Sequence, residues 1–447
     1  MSGGFANAVY YPSWIIYKGK PPSWLNVTQA SHVLYSFVGI NEDGSLRAID
    51  EWADTGVEAD GEKGCLAALA KLKRSNPHLK TLVSIGGGTG SAQFPAMAAN
   101  PQARETFARA IRAFVEQHEL DGVDIDWEHP KNTREGNDLL HLLYTIRTQL
   151  PGPRYLLTTA LPPGEWVLRN IDLAQAAQYL DLLNLMAYDL TGAWTPVAGH
   201  QAQLRAPPHL AHHDCCRAHC AAGVDYCLRQ GFPGRKILLG VPAYARYFPG
   251  ARAAGHPFSD AGELNYCDFP AAWVEQARVD EEAAAAWHVD PDRGFASFDT
   301  PASVRIKARW VRERQLGGLM YWTGSADRPG RESLVSAGYL EMHGTSLLRT
   351  HHLSNSISTL EQCLPEVLSF QQPPFPLAPT ARDLMVPQAH TNRPQRPPPK
   401  ASIKPAHPAR PFPFSSFLLM STILQRIISI VFDLLWVLQK SHRSHPG

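Results

Sequence analysis

Hydrophobic and polar positions alternate between two periods along most of the chain. Up to residue 343, short β-rich runs are separated by stretches of helical period. The runs are AVYYPSW (8–14), HVLYSFVGI (32–40), TLVSIGGG (81–88), GVDIDWE (122–128), YLLTTALPP (155–163), LLNLMAYD (182–189), KILLGVPAY (236–244) and GGLMYW (317–322). Phe107, Ile111, Phe114 and Val115 recur at i, i+4, i+7 and i+8, which predicts one face of a helix. Leu139, Leu140, Leu142, Leu143 and Ile146 predict a second helix before Pro151, and a third is expected from about Pro301 to Arg314. Eight strands alternating with helices argue for parallel pairing through right-handed crossovers. Eight repeats over about 340 residues predict an α/β fold of the (β/α)8 barrel type rather than an open doubly wound sheet. No Gly-x-Gly-x-x-Gly follows the first run, which argues against dinucleotide binding. The longest interval, about Tyr247 to Leu316, predicts a short insertion at about 248–298 between strands seven and eight. It would hang over the C-terminal face, where barrel enzymes keep their sites.

The pattern ends near residue 343, which sets the expected domain boundaries. Residues 1–343 form the barrel, 344–413 a Pro-rich disordered linker and 414–440 an apolar segment. Arg426 and Asp433 interrupt the apolar run, and each costs about 2.5–3.5 kcal/mol near a bilayer centre. Thr422, Arg426, Ser429 and Asp433 fall on one stripe, which suits a helix lying on a membrane surface. Their central placing argues against membrane contact through 414–438. At 44% hydrophobic the chain is not wholly disordered. Its 42 bases against 41 acids exclude the broad basic footprint of a nucleic-acid binder. The tail after residue 344 holds ten bases and four acids, so the body is mildly acidic and neutral polymers are its least disfavoured partners. Seven scattered cysteines do not make a disulfide framework, and no basic region followed by an apolar stretch opens the chain. An intracellular, cytoplasmic monomer is expected, or a secreted one if the N-terminus is incomplete.

The most informative segment is Asp121-Gly-Val-Asp124-Ile-Asp126-Trp-Glu128. On a strand, Asp124, Asp126 and Glu128 share one face, while Val123, Ile125 and Trp127 point toward the helices. Successive carboxylates then lie about 6–7 Å apart. Packed acids raise one another's pKa, and charges are almost never fully buried unpaired. Stability gains nothing from this, whereas catalysis gains a carboxyl that stays protonated near neutral pH as a general acid. A solvated edge strand or a metal site would also account for the acids. Metal fits less well, because His129 would be the only added ligand.

DGVDIDWE matches the DGxDxDxE signature, and the chain thereby resembles glycoside hydrolase family 18, the chitinases and their relatives. Ser84-Ile85-Gly86-Gly87 is similar to the family's SxGG strand, and Met186-Ala187-Tyr188-Asp189, followed by Gly192-Ala193-Trp194, to its MxYD strand. Gly240-Val-Pro-Ala-Tyr244-Ala-Arg246 is similar to the GxPxYGR pattern, with Ala245 in place of glycine, and Gly318-Leu-Met-Tyr-Trp322 to the eighth-strand motif. Together these cover about residues 8–343. The resemblance implies substrate-assisted catalysis, an exception to the two-carboxylate rule. Glu128 would protonate the leaving oxygen, and the sugar's own acetamido oxygen would attack the anomeric carbon. Asp126 would orient the acetamido N–H, Asp124 would share a proton with Asp126, and Tyr188 would bond the acetamido oxygen with Asp189 beside it. Trp322 would form the floor beneath the reacting sugar, with Tyr10 and Phe37 on neighbouring strands. Met186 belongs to the same substrate-binding set, and Arg246 would bind sugar hydroxyls or an acid. For Tyr10 and Phe37, ordinary barrel packing is an equal account.

Two features depart from the family pattern. Many members carry tryptophan directly after SxGG, where it stacks a sugar on the product side; here the residue is Gly88. The seventh insertion also looks shorter than the full α+β wall of many relatives. His212-His213-Asp214-Cys215-Cys216-Arg217-Ala218-His219-Cys220 matches no C-x2-C zinc ribbon, so neither metal nor cofactor is expected. Asp214 is expected to cap the helix leading to Cys227. The resemblance implies an endo-type chitinase acting on chitin or N-acetylglucosamine oligomers. Its rivals are an endo-β-N-acetylglucosaminidase of N-glycan cores and a chitin-binding lectin, the latter opposed by the intact Glu128.

Overall fold

The computed structural model describes residues 4–207 and 214–344. The expected linker and apolar segment beyond residue 344, with His212, His213 and Cys363, lie outside the described residues. Among the described residues, no helix is long and apolar enough to cross a membrane.

Eight parallel strands close into a barrel. They are β1 (Ala6–Pro12), β2 (His32–Ile40), β3 (Lys80–Gly86), β4 (Gly122–Asp126), β5 (Leu156–Leu161), β6 (Leu182–Leu185), β7 (Ile237–Pro242) and β8 (Gly318–Trp322). Each pairs with its neighbours in sequence, and β1 joins β8 on one side and β2 on the other, which closes the ring. The (β/α)8 expectation therefore holds. Around it lie α1 (Cys65–Ser75), α2 (Pro101–Gln117), α3 (Thr133–Gln149), α4 (Leu173–Tyr179), α5 (Cys220–Arg229) and α6 (Pro301–Glu313).

Local chemistry fixes the helix starts. Asn100 accepts from the Gln102 amide and Asn132 from the Glu135 amide, and Thr300 with Ser303 forms a capping box ahead of α6. The apolar stripes read from the sequence face inward. Phe107, Ile111 and Val115 on α2 are buried, as are all five α3 positions, while Phe114 is half-buried against His118.

Strand alternation separates two cores. The odd-numbered Val9, Val33, Val83, Val123, Leu157, Leu183, Leu239 and Leu319 join the helices in the outer layer. The even-numbered Ala6, Ala8, Leu34, Leu82, Leu238 and Met320 fill the lumen. Asp124, Thr158, Ser84 and Asn184 carry even numbers too, so the register that packs the lumen also turns these polar groups inward.

Two boundaries differ from expectation. β4 stops at Asp126, so Glu128 stands in the loop beyond the strand rather than on its face. The insertion begins at Tyr244 rather than about 248: β7 pairs with β8 as far as Pro242 opposite Trp322, and from Tyr244 the chain pairs antiparallel with Asn265 instead. It is a five-stranded antiparallel sheet running from Tyr244–Phe248 to Gly294–Phe298, with a short helix, Ala271–Glu275. Trp273, Phe269 and Phe298 pack at 4.9–6.0 Å between ring centroids in its core.

Where the insertion returns to the barrel, Lys307 Nζ meets Asp299 Oδ2 at 2.6 Å, both side chains essentially inaccessible. Ser303 Oγ donates to the other carboxylate oxygen of Asp299. Lys307→Ala leaves Asp299 buried without its counterion and is expected to cost about 3–5 kcal/mol in urea denaturation. Replacing the pair together, Lys307→Met with Asp299→Leu, should recover most of that loss.

Candidate active site

The site is built outward from Asp124. Cross-strand register places Ser84 and Thr158 on either side of it. Thr158 and Asn184 donate to Oδ1 at 2.5 and 3.0 Å, and Ser84 and Tyr10 to Oδ2, each at 2.8 Å. Burial pushes the Asp124 carboxyl up, and these four donors oppose that by favouring the anion.

Asp126, the next inward residue, has the opposite environment. Its Oδ1 is buried and accepts no hydrogen bond. Burial first, then the Glu128 and Asp124 charges, hold its carboxyl well above the usual range. Asp126, which lacks the four donors of Asp124, is the more strongly raised of the two.

Glu128 faces the cleft. Its carboxyl is raised by burial and secondarily by Asp189. The loop bearing it is tied down by Ser91, whose Oγ accepts from the Glu128 amide at 2.8 Å and donates to the carbonyls of Gly87 and Asp126. The second motif explains itself here. Gly86 has φ of +115°, and a Cβ at that position would lie 2.2 Å from the Asp126 carbonyl oxygen, so only glycine fits. The ring of His129 lies alongside, its Nε2 3.9 Å from Glu128, and burial lowers its pKa, which keeps it neutral.

A cleft of about 990 Å³ opens over these groups. Glu128, Asp126, Tyr188, Met186, Asp189 and Trp322 line it, with Tyr10 and Phe37. Trp322 stacks on Phe37 at 5.7 Å, and Phe37 lies 6.3 Å from the half-exposed Trp14. Tyr10 is 1% exposed, so it braces Asp124 and packs edge-on to Trp322 rather than offering a free face. Arg246 is already engaged. It bonds Asp189 at 2.7 Å and Glu263 at 2.9 Å, and its guanidinium lies 4.7 Å from the Trp194 ring. Tyr244 donates to the same Asp189 oxygen at 2.6 Å.

Among the described residues no group of three or more His, Cys, Asp or Glu could hold an ion. The helix cap differs, however: His219, not Asp214, caps α5, through Nδ1 and the Ala222 amide. Asp214 belongs to a separate turn, Asp214–Cys216. Sequence reasoning missed Ser91, Thr158, Asn184 and Trp166 in this region. The register of Thr158 opposite Asp124 was the one signal available; the others arise from loops and from strands not adjacent in sequence.

A proton donor held above a sugar-wide aromatic floor is the chemistry of a glycoside hydrolase. Comparison gives the family: residues 6–327 match the model of Glycosyl hydrolases family 18, and the chain belongs to that family. It is 34% identical to Chitinase 1 of Aphanocladium album over 364 residues, 75% of this chain and 85% of that protein. It is 32% identical to Endochitinase 1 of Metarhizium robertsii, covering 77% and 86%. Among solved structures, the Group IV chitinase of Ostrinia furnacalis superposes with a TM-score of 0.69 at 26% identity, over 76% of this chain and 99% of that one.

The raised Asp126 pKa makes a prediction about stability. The folded chain keeps this proton where the unfolded chain, with a carboxyl near pKa 4, has lost it. Its contribution to stability therefore falls as pH rises through that window. Asp126→Asn carries no such charge, so the stability difference, variant minus parent, should grow from pH 4 to pH 8 in urea denaturation. A difference independent of pH would contradict the assignment.

Proposed function

We propose that the chain is a chitinase, cleaving β-1,4 bonds between N-acetylglucosamine units by substrate-assisted, retaining hydrolysis. One observation supports the mechanism: apart from Glu128, the carboxyl groups of the site are either hydrogen-bonded or buried with a raised pKa. Asp124 accepts four hydrogen bonds, Asp189 is bound by Arg246 and Tyr244, and Asp126 is buried with its carboxyl raised. No second protein carboxylate stands free to attack an anomeric carbon. The nucleophile that remains is the acetamido oxygen of the sugar resting on Trp322.

The geometry supports that course. Glu128 donates its proton to the glycosidic oxygen as the bond to the leaving sugar breaks. The acetamido oxygen closes on its own anomeric carbon, an intramolecular attack with a high effective molarity. Asp126 Oδ1, the acceptor left empty in the free protein, takes the acetamido N–H and so orients the acetamido oxygen for attack. Tyr188 lines the cleft where its hydroxyl can bond the acetamido oxygen. Glu128, now ionised, then removes a proton from water, which opens the oxazolinium with retention of configuration. The relatives named as chitinases, at 32–34% identity over three quarters of the chain, support chitin as the substrate.

Glu128→Gln should preserve folding and oligosaccharide binding while lowering kcat on chitohexaose by at least about 10²–10⁴-fold, the usual worth of a general acid. Near-parental turnover by the purified variant would remove Glu128 from that role. A second test addresses the nucleophile. On partially acetylated chitosan, cuts should fall where the sugar on the new reducing end bears an acetamide. Sequencing the products reads this directly, and a substantial share of unacetylated reducing ends would show that a protein group or water attacks instead.

A further inference from the structure

Glu128 divides the cleft. Trp322, Phe37 and Trp14 form a continuous aromatic series on the side where the reacting sugar and its predecessors rest. The leaving sugar must extend the other way, past the acid. Two groups flank Glu128 there, and they are unequal. Gly88 presents no side chain, and a Cβ built on it would already lie 3.8 Å from Glu128 Oε1. On the other flank, the loop after β5 carries Trp166, 60% exposed and lining the same cleft.

Trp166 is exposed yet held in place. Its indole meets the His129 ring edge to face, with centroids 5.5 Å apart, and His129 is the residue after the acid. The buried Asn170 side chain donates to the carbonyls of both Pro130 and Trp166, at 3.1 and 3.3 Å. The acid's loop and the tryptophan's helix, Glu165–Leu168, are thereby coupled. Gly164 leaves room for this seat: a Cβ there would lie 2.3 Å from Trp166 Nε1, so a larger residue would require the indole to shift. An exposed aromatic ring is unfavourable in water, and a pyranose presents an apolar C–H face of matching size.

We propose that Trp166 is the surface on which the first leaving-side sugar stacks, making it the residue that sets preference for N-acetylglucosamine chains extended beyond the cleaved bond. The proposal rests on the reading of Glu128 as the acid, and the experiment separates the two. Full-length parent and variant chains are assayed on chitohexaose and on β-chitobiosyl fluoride, whose leaving group is a single atom that cannot reach Trp166. Loss of hexamer turnover in Glu128→Gln, with fluoride turnover much less affected because fluoride departs with little proton donation, reports the reading of Glu128 itself. The ratio of kcat/KM values, hexamer over fluoride, reports Trp166 alone, and any fraction of misfolded protein cancels from it. In Trp166→Ala this ratio should fall at least tenfold, mainly through KM, and in Trp166→Phe it should recover to within threefold of the parent. An unchanged ratio in Trp166→Ala, or an equal loss on both substrates, overturns the proposal.

Discussion

The four hydrogen bonds received by Asp124 are the constraint on which the active face depends. They come from β1, β3, β5 and β6, so one carboxylate ties together half the strands of the barrel from within. A buried anion needs such partners, and each donor is available only if its strand holds its register. Asp124 thus converts strand pairing into the placement of its neighbours. Asp126 sits two residues further along the same strand, where donors give out, and Glu128 two further still, where the strand itself has ended. The three acids form a gradient from fully satisfied to free, and their chemistry follows that gradient.

Much of this was legible in the sequence, for definable reasons. Parallel strands buried on both faces leave dense apolar runs, and all eight were visible as such. The acids stood out because DGVDIDWE sets charges at alternate positions among residues that must be buried. Two kinds of feature did not show. Contacts made across the lumen, such as Asn184 to Asp124, join residues 60 apart that carry no common local pattern. Loop geometry was also hidden: Ser91 and Trp166 occupy positions set by turns whose sequences are unremarkable in hydropathy. The stop of β4 before Glu128 belongs to the same class, because strand propensity does not reveal where pairing partners end.

The insertion illustrates how a segment outside the barrel completes the site. Its first strand begins directly after β7 and delivers Tyr244 and Arg246 to Asp189, while its second brings Glu263 to the other side of the guanidinium. Arg246 is therefore shared between a barrel acid and an insertion acid, which orients Asp189 and keeps it from acting as a free base. The arginine's flat face against Trp194 extends the same arrangement to the rim.

The Ser91 clamp separates two kinds of rim. On the β3–β4 side, loops are joined at main-chain groups: the Gly87 amide bonds the Asp126 carbonyl, and the Ser91 hydroxyl holds the Glu128 amide and the Gly87 and Asp126 carbonyls. Such links tolerate almost no change, because they specify backbone positions. On the β5–β7 side, Trp166, Trp194 and Arg246 reach the cleft through side chains, which can be exchanged one at a time. How the bond is broken and what is held while it breaks are thus encoded on different arcs of one ring. Descendants of this chain can diversify along the second arc while inheriting the first unaltered.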